Sequence, residues 1–342
     1  MKLVKFILPL ALLTGCASSP IAKAVDCATY KNCVFENGIA VLAAPEIADP
    51  ILITAQQGAV GFKRYFGMDV APIAIVPGGE ISAELQEDLT KAGFETSLPW
   101  ISAADKHALT QSEVRRQVME QTKGMSVEQQ EAIIKMSLAK LDTPESPSGD
   151  MSATEQGALT HELGHMWFIS AFKPAEGNKQ LDKGYGSWAP DWLDETAAVL
   201  LENETLTKGR RKAFQTMKQE DFYPLETFLT MEHPALKSAL ALKNKFGGKE
   251  SSSGSHAIIL TGEDAEEFLR ASGKSDPANF YTQVRGFADY TIEATGDEQI
   301  FAKLASYLSE GGSIESWLYQ TDGLADNLQD LTEDWNAVLA AR

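Results

Sequence analysis

The stretch that decides the fold is His161-Glu162-Leu163-Gly164-His165, which lies in a helix-forming run. Residues four positions apart lie on one face of a helix, so the imidazoles of His161 and His165 can reach one metal ion. Glu162 stands beside them, where its carboxylate can take a proton from a metal-bound water. The stretch therefore predicts a Zn²⁺ site with His161 and His165 as ligands and Glu162 as general base.

The flanking segments predict that this stretch lies on a single helix. Ser152 and Glu155 form a capping-box pattern, which is typical of a helix start, and Pro174 ends the helix. The preceding residues 142–150 contain two prolines and a glycine, so they are predicted to be a linker. Residues 174–190 are rich in Gly and Lys and are predicted to be a loop.

The strand signals lie in the first part of the chain. Pro45 to Phe66 predicts a helix, and Gly67 is expected to end it. The runs Ala71 to Val76 and Phe94 to Ile101 predict two strands. After them, two further capping-box patterns predict a hairpin of two helices: Thr110 with Glu113, and Ser126 with Gln129.

The last part of the chain is predicted to be helical. Trp192 to Asn203 predicts one helix, and the remainder is almost wholly helical except for a Gly/Ser-rich loop at 247–255. We therefore expect an α+β fold in one domain, 41–342. Its N-terminal lobe (41–150) bears the strands, and its mostly helical C-terminal lobe (151–342) begins with the metal helix.

Length and charge limit the classes of protein. The chain has 342 residues, of which 44% are hydrophobic and 23% are charged. This suits one large catalytic domain or two tightly joined lobes. The formal net charge of −18 would repel nucleic acid, so no nucleic-acid partner is expected.

The N-terminus has the pattern of an export signal. Lys2 and Lys5 precede a short apolar core, Phe6 to Leu13, which is too short to span a bilayer. The following Leu13-Thr14-Gly15-Cys16 resembles a bacterial lipobox. This resemblance implies cleavage before Cys16 and lipid attachment to that residue; the alternative is an ordinary signal peptide cut nearby.

The same resemblance implies a location. Residues 1–15 would be the signal peptide and 16–40 a lipid-anchored tether. In lipoproteins of Gram-negative bacteria, a residue other than Asp after the lipidated cysteine generally directs the protein to the outer membrane, and Ala17 fits that pattern. We expect a protein held in the outer membrane by its lipid, facing the periplasm or the surface.

Two cysteines remain in the predicted tether. Cys27 and Cys33 are an even pair in an oxidising compartment, so we predict a small disulfide loop. A metal site from this pair is not expected, because no Cys or His lies nearby at ligand spacing. A pair of reduced thiols is the alternative.

A zinc hydrolase site needs a third protein ligand. The best candidate is Glu195, in a helix that begins near Trp192. It could instead be a solvated glutamate at a helix start. Asp191, Asp194 and Glu202 are competing ligands, and the two aspartates could instead orient a histidine.

These motifs together resemble the gluzincin metallopeptidases, whose M1 aminopeptidase branch has HExxH followed by a WLNEG-type helix. The resemblance implies a thermolysin-like catalytic domain with Zn²⁺ held by His161, His165 and Glu195. The spacing departs from the pattern, because Glu195 lies 30 positions after His165, a longer gap than in the M1 branch. An inserted loop at 170–190 would account for it. The Gly-x-Met-Glu-Asn motif of M1 aminopeptidases is absent, so aminopeptidase specificity is not supported.

Two residues are candidates for stabilising the negative oxygen of the reaction intermediate. The stretch from Tyr281 to Gly296 resembles the M1-type helix that begins with the catalytic tyrosine, so Tyr281 is the first choice. A core or capping tyrosine is the alternative. His256, in the Gly/Ser-rich loop region, is the rival. His107 and His233 are interpreted as structural or surface residues, because the Met-Glu-His-Pro turn around His233 gives no ligand geometry.

The sequence therefore predicts a lipid-anchored zinc metallopeptidase that cuts peptide or protein substrates. Phe94 to Pro99 is expected to be an edge strand to which an extended peptide adds. One alternative is a non-catalytic lipoprotein that keeps the gluzincin scaffold for binding or envelope assembly. Another is zinc-dependent hydrolysis of a non-peptide amide.

Overall fold

The structure is a computed structural model that describes residues 30, 32–78, 81–94, 96–139, 151–174, 187–235 and 277–342. The predicted signal peptide, Cys16, Cys27 and His256 lie outside these residues. What the sequence predicts for them stays a prediction. Cys33 is described, but the pairing with Cys27 stays a prediction. Within the described residues, no helix has the length and apolar character needed to cross a membrane.

The described residues form a mixed α and β fold that is mostly helical and has one four-stranded sheet. The strands stand in the order β1-β2-β3-β4; β1 and β2 are antiparallel, and the other pairs are parallel. Their ranges are β1 Val34–Glu36, β2 Ile39–Val41, β3 Ile73–Pro77 and β4 Thr96–Trp100.

The twelve described α-helices are α1 Pro45–Phe66, α2 Ala83–Lys91, α3 Ala103–Gln121, α4 Val127–Leu138, α5 Ala153–Ala171, α6 Asp191–Leu201, α7 Glu204–Thr216, α8 Leu225–Thr230, α9 Pro277–Thr295, α10 Ile300–Ser309, α11 Ile314–Tyr319 and α12 Leu328–Ala340. All described residues after 151 that form regular structure are helical. The strands therefore lie in the first part of the chain, and the later part is helical, as expected.

The β1-β2 hairpin was not predicted. Asn37 and Gly38 connect the strands with positive φ angles of 51° and 84°, as a two-residue hairpin turn requires. The hairpin lies largely inside the segment 16–40 that the sequence analysis assigned to the tether, yet β2 is fully buried. The folded part of the chain therefore extends back to at least residue 34.

The predicted strands and the first helix agree with the structure. β4 lies inside its predicted run, and β3 lies inside its own run except for Pro77, one residue beyond the predicted end. Helix α1 has the predicted bounds, and Gly67 ends it at φ 70° while its N–H donates to the Lys63 carbonyl. Helix α2 was missed; Ser82 caps its N-terminus by accepting the Leu85 N–H.

The capping predictions for the hairpin have a mixed outcome. Ser126 and Gln129 form the predicted capping box at the start of α4. The prediction that Thr110 starts a helix is wrong. Helix α3 begins after Ser102, whose hydroxyl accepts the Asp105 N–H, and Thr110 lies inside it. A Ser-x-x-Asp pattern eight positions earlier starts the helix, so the later pattern falls on its interior.

Helix α5, which carries the metal motif, begins and ends near its predicted limits. Ser152 accepts the Glu155 N–H, but the Glu155 carboxylate accepts the N–H of Ala103 instead of completing a capping box. This hydrogen bond ties the start of α5 to the chain just after β4. The aromatic residues that follow the motif, Trp167 and Phe168, are buried in the core.

Helices α5 and α6 cross at very short range. A Cβ atom at Gly164 would lie 2.7 Å from the Ala198 Cα and 3.0 Å from the Ala197 carbonyl oxygen. Only glycine permits this approach, because both neighbours are backbone atoms. Every residue of α6 is buried, so its three acidic side chains need partners inside the protein.

Candidate metal centre

Helices α5 and α6 bring the three predicted ligands together. The ligand atoms of His161, His165 and Glu195 all lie within 4.8 Å of one another. The Nε2 atoms of His161 and His165 lie 3.4 and 3.6 Å from the same oxygen, Oε2 of Glu195. The Glu195 side chain is only 2% exposed, so it is not a solvated glutamate at a helix start. Residues 30 positions apart in sequence thus meet at one point.

A further carboxylate lies beside each histidine. The Nδ1 atom of His161 is 2.9 Å from Oε1 of Glu202, and the Nδ1 atom of His165 is 3.1 Å from Oδ1 of Asp194. A carboxylate that faces Nδ1 favours a proton on that nitrogen, which leaves the lone pair of Nε2 for a metal. The predicted orienting role fits Asp194. Glu202, which was expected to compete as a ligand, lies in the corresponding position beside His161.

The carboxylates also determine the charges of the site. Burial disfavours the charged imidazolium, but the negative charges of Asp194 and Glu195 outweigh it and raise the pKa of His165 to about 10. The pKa of His161 is raised as well: burial opposes its charge, but Glu195 and Glu202 favour it. Burial opposes ionisation of Glu195, but the nearby histidines lower its pKa to about 2. The site therefore attracts positive charge strongly.

The surroundings of the Glu195 carboxylate show whether the centre suits a bound cation. Both of its oxygens are buried, and neither accepts a hydrogen bond from the described residues. Its contacts with imidazole nitrogens, at 3.4 to 3.6 Å, are longer than ordinary hydrogen bonds. Buried carboxylates without such partners are rare and costly. Two imidazole nitrogens and one carboxylate oxygen are a zinc donor set, so the residues present fit Zn²⁺.

Glu162 differs from its neighbours in exposure. It lies on α5 between the two histidines in sequence, yet it is exposed while His161 is buried. Its negative charge is among the causes that raise the pKa of His165, so it lies near the centre. A carboxylate that is close to the ligands and open to solvent can exchange protons with a water or a substrate.

Helix α9 places Tyr281 at the centre. The Tyr281 ring meets the His161 ring edge-on, with 5.7 Å between the ring centres. The helix ends before Gly296, at φ 64°, as expected. It begins at or before Pro277, however, so Tyr281 lies in its second turn rather than at its start.

Arg210 on α7 connects Tyr281 to a metal-site carboxylate. Its Nε donates to Oε2 of Glu202 at 2.6 Å, and its Nη2 donates to Oε1 of the same residue. Its guanidinium carbon lies 4.8 Å from the centre of the Tyr281 ring. Arg210 was not predicted, because it belongs to a separate helix and no local motif marks it.

Of the two interpretations given for His233, structural or surface, the structure excludes the surface one. Its side chain is fully buried, and its Nε2 atom lies 3.4 Å from Oε1 of Glu195. Burial lowers its pKa, against the attraction of nearby carboxylates. The chain is brought here by Asp191, whose Oδ2 accepts the backbone N–H of His233 at 2.5 Å. This contact joins residues 42 positions apart, so the local turn sequence could not reveal it. His107 lies on α3, beside Gln111, as a structural residue would.

Comparison with known proteins does not classify this chain. No protein family, no curated protein and no solved structure matches it. The gluzincin family and the thermolysin-like domain therefore stay predictions from the sequence motifs.

Proposed function

We propose that this protein is a zinc-dependent metallopeptidase of the gluzincin type, with a thermolysin-like catalytic domain. The observation that carries the proposal is the buried carboxylate of Glu195, on whose Oε2 the Nε2 atoms of His161 and His165 converge. A non-catalytic scaffold would not need the exposed Glu162 next to this cluster. The retained ligand set and base support a catalytic role.

His161, His165 and Glu195 would hold the zinc ion, and the carboxylates beside the histidines would orient the imidazoles. Bound zinc supplies a Lewis acid that polarises a carbonyl and makes a water molecule acidic. Glu162 would accept the proton of the attacking water and deliver it to the leaving nitrogen. Its exposure suits both transfers, because the carboxylate must reach substrate atoms on the open side of the centre.

Tyr281 would stabilise the carbonyl oxygen as it gains negative charge. A phenol O–H can donate a hydrogen bond to that oxygen. Arg210 lies against the Tyr281 ring, so its positive charge adds to the electrostatic field on this side of the site. Because Arg210 also holds Glu202, one residue positions both a histidine partner and the proposed electrophile.

β4 is the proposed binding strand for an extended peptide. Among the strands that the structure describes, it lies at the edge of the sheet, and it packs near α5. The Trp100 carbonyl accepts the Gly78 N–H, so the main-chain groups of Trp100 and of alternate residues before it face β3. The N–H of Ser97 therefore faces the free edge. Pro99 also faces that edge, where its missing N–H costs no bond to β3.

The proposal extends to the class of substrate and to the location of the protein in the cell. A peptide bound through its main chain would be recognised with little dependence on its side chains. The export signal and Cys16 support attachment to the bacterial outer membrane by lipid, so peptides or proteins of the cell envelope are the expected substrates.

The experiment is a peptide-library cleavage assay of the wild type and of Glu162→Gln at equal zinc content. We expect the variant to keep its zinc and to lose about 10²–10⁴-fold in turnover, since the general base is removed. Full activity in the variant would refute the mechanism. A wild type that binds zinc but cleaves no peptide would favour the non-catalytic alternative or a non-peptide amide substrate.

A further inference from the structure

We propose that His233 is a positioning residue of the metal centre: its imidazole Nε2 faces Oε1 of Glu195, so its N–H dipole directs that oxygen and leaves Oε2 for the metal. The inference rests on the zinc centre proposed above and does not depend on peptide cleavage. It assigns a role to a residue that lies outside the motif and outside the ligand set.

The backbone of His233 is fixed to the helix that carries Glu195. The His233 N–H donates to Oδ2 of Asp191 at 2.5 Å, and Asp191 is the first residue of α6. Glu195 lies one turn further along that helix. The histidine and the carboxylate are therefore placed by the same element, so their relative position is well defined.

The hydrogen bond at the other ring nitrogen selects the tautomer. The Ala235 N–H donates to Nδ1 of His233 at 3.1 Å, so Nδ1 acts as an acceptor and carries no proton. In a neutral imidazole the proton is then on Nε2. That atom lies 3.4 Å from Oε1 of Glu195. The ring is fully buried and packs against the rings of Phe280 and Tyr281, at centre distances of 5.0 and 5.2 Å, so it has little freedom to turn away.

This arrangement divides the two oxygens of Glu195 between two tasks. Oε2 faces the Nε2 atoms of His161 and His165, and Oε1 faces His233. A carboxylate that turns one oxygen toward a neighbouring N–H presents its other oxygen to the metal. Among the described residues, His233 is not in the group whose ligand atoms all lie within 4.8 Å of one another. It therefore positions a ligand instead of serving as a fourth one, and a coordination position stays open for a water or a substrate.

Two amide substitutions separate this role from simple packing. The amide nitrogen of glutamine is as many bonds from Cα as Nε2 of histidine, so His233→Gln keeps a donor within reach of Glu195. The asparagine side chain is one carbon shorter, so His233→Asn loses that donor. The affinity for Zn²⁺ is measured by competition with a chromophoric chelator on the full chain. We expect a loss of about 10–100-fold for His233→Asn and near wild-type affinity for His233→Gln, with His107→Asn on α3 as an unaffected control.

The unfolding midpoint in EDTA shows whether the variants keep their fold. A purely structural role would shift that midpoint in both amide variants and would not separate their zinc affinities, which would overturn the proposal. Equal, wild-type affinity in all variants would overturn it as well. A wild type that binds no zinc would overturn both this proposal and the zinc centre. A wild type that binds zinc, with variants that do not separate, would overturn only the role of His233.

A measurement on the wild type avoids the risk that a variant does not fold. The ¹⁵N chemical shifts of the His233 ring in the zinc-loaded protein report which nitrogen carries the proton. We expect the proton on Nε2. A proton on Nδ1, or a metal-bound Nε2, would overturn the positioning role.

Discussion

Replacement of Gly164 with alanine should force α5 and α6 apart and weaken zinc binding. The new Cβ atom would lie 2.7 Å from the Ala198 Cα and 3.0 Å from the Ala197 carbonyl oxygen. No side-chain rotation can relieve contacts with backbone atoms. Helix α6 would have to retreat by about 1 Å to restore an ordinary carbon–carbon separation of about 3.5–4.0 Å.

The expected magnitudes follow from this displacement. Overpacking of this kind costs about 1–3 kcal/mol, while the higher helix propensity of alanine offsets about 1 kcal/mol. We expect the free energy of unfolding in EDTA to fall by up to about 2 kcal/mol. Glu195 lies three positions before Ala198 on α6, so it moves with that helix. Because metal sites tolerate only about 0.2 Å in ligand distances, we expect zinc affinity to fall by at least about 10-fold.

The assays are urea unfolding in EDTA and chelator competition for Zn²⁺. Gly209→Ala on α7 is the matched control, because its Cβ would meet no atom of the described residues within 4 Å. It should bind zinc normally and be up to about 1 kcal/mol more stable. The reasoning is refuted if Gly164→Ala keeps wild-type stability and zinc affinity, or if the control loses zinc to the same extent.

Three further predictions concern catalysis, pH and metal removal. Tyr281→Phe should keep its zinc and lose about 10²–10³-fold in kcat, the usual effect of removing one donor to the oxyanion; steady-state kinetics that show an unchanged kcat would exclude the proposed role. Burial disfavours ionised Asp289, but hydrogen bonds from Arg211 and Arg285 lower its pKa. The stability that the ionised carboxylate contributes is therefore present above about pH 4, and it is lost as the pH falls through the lowered pKa. Asp289→Asn should therefore be less stable than the wild type at pH 7, by about 1 kcal/mol, and urea unfolding should show this difference shrinking below pH 4; a constant difference would contradict the assignment. Zinc removal should lower the thermal unfolding midpoint, because zinc at 100 times its Kd stabilises the folded state by about 2.7 kcal/mol. Equal midpoints with and without EDTA would argue against a metal site formed in the native state.

Local signals in the sequence predicted the elements that local interactions define. Helix α1 has a proline at its start and a glycine at its end, and each residue affects only the helical turn next to it. The strands β1 and β2 have three residues each, too few to show a periodic pattern. The start of α3 was misplaced because a capping-box pattern at Thr110 also occurs inside a helix, where its hydroxyl donates to the Lys106 carbonyl instead.

The metal centre was predictable in part. The spacing of His161 and His165 requires only a helix, so these two ligands could be read from the motif. The roles of the acidic residues on and after α6 depend on how that helix crosses α5, and sequence alone left four candidates open. The position of His233 beside Glu195 was missed because Asp191 places it through a contact between distant segments. Its role depends on tertiary structure that no local motif records.

The most direct test of the three-ligand centre is the zinc content of the purified chain after dialysis, for the wild type and for Glu195→Ala. The substitution removes the carboxylate on which both imidazoles converge and leaves His161-Glu162-Leu163-Gly164-His165 intact. The proposed centre predicts about one zinc per wild-type chain and little in the variant, since two histidines alone leave the site one protein ligand short. A wild type without zinc, or a variant that retains it fully, would contradict the assignment of this site.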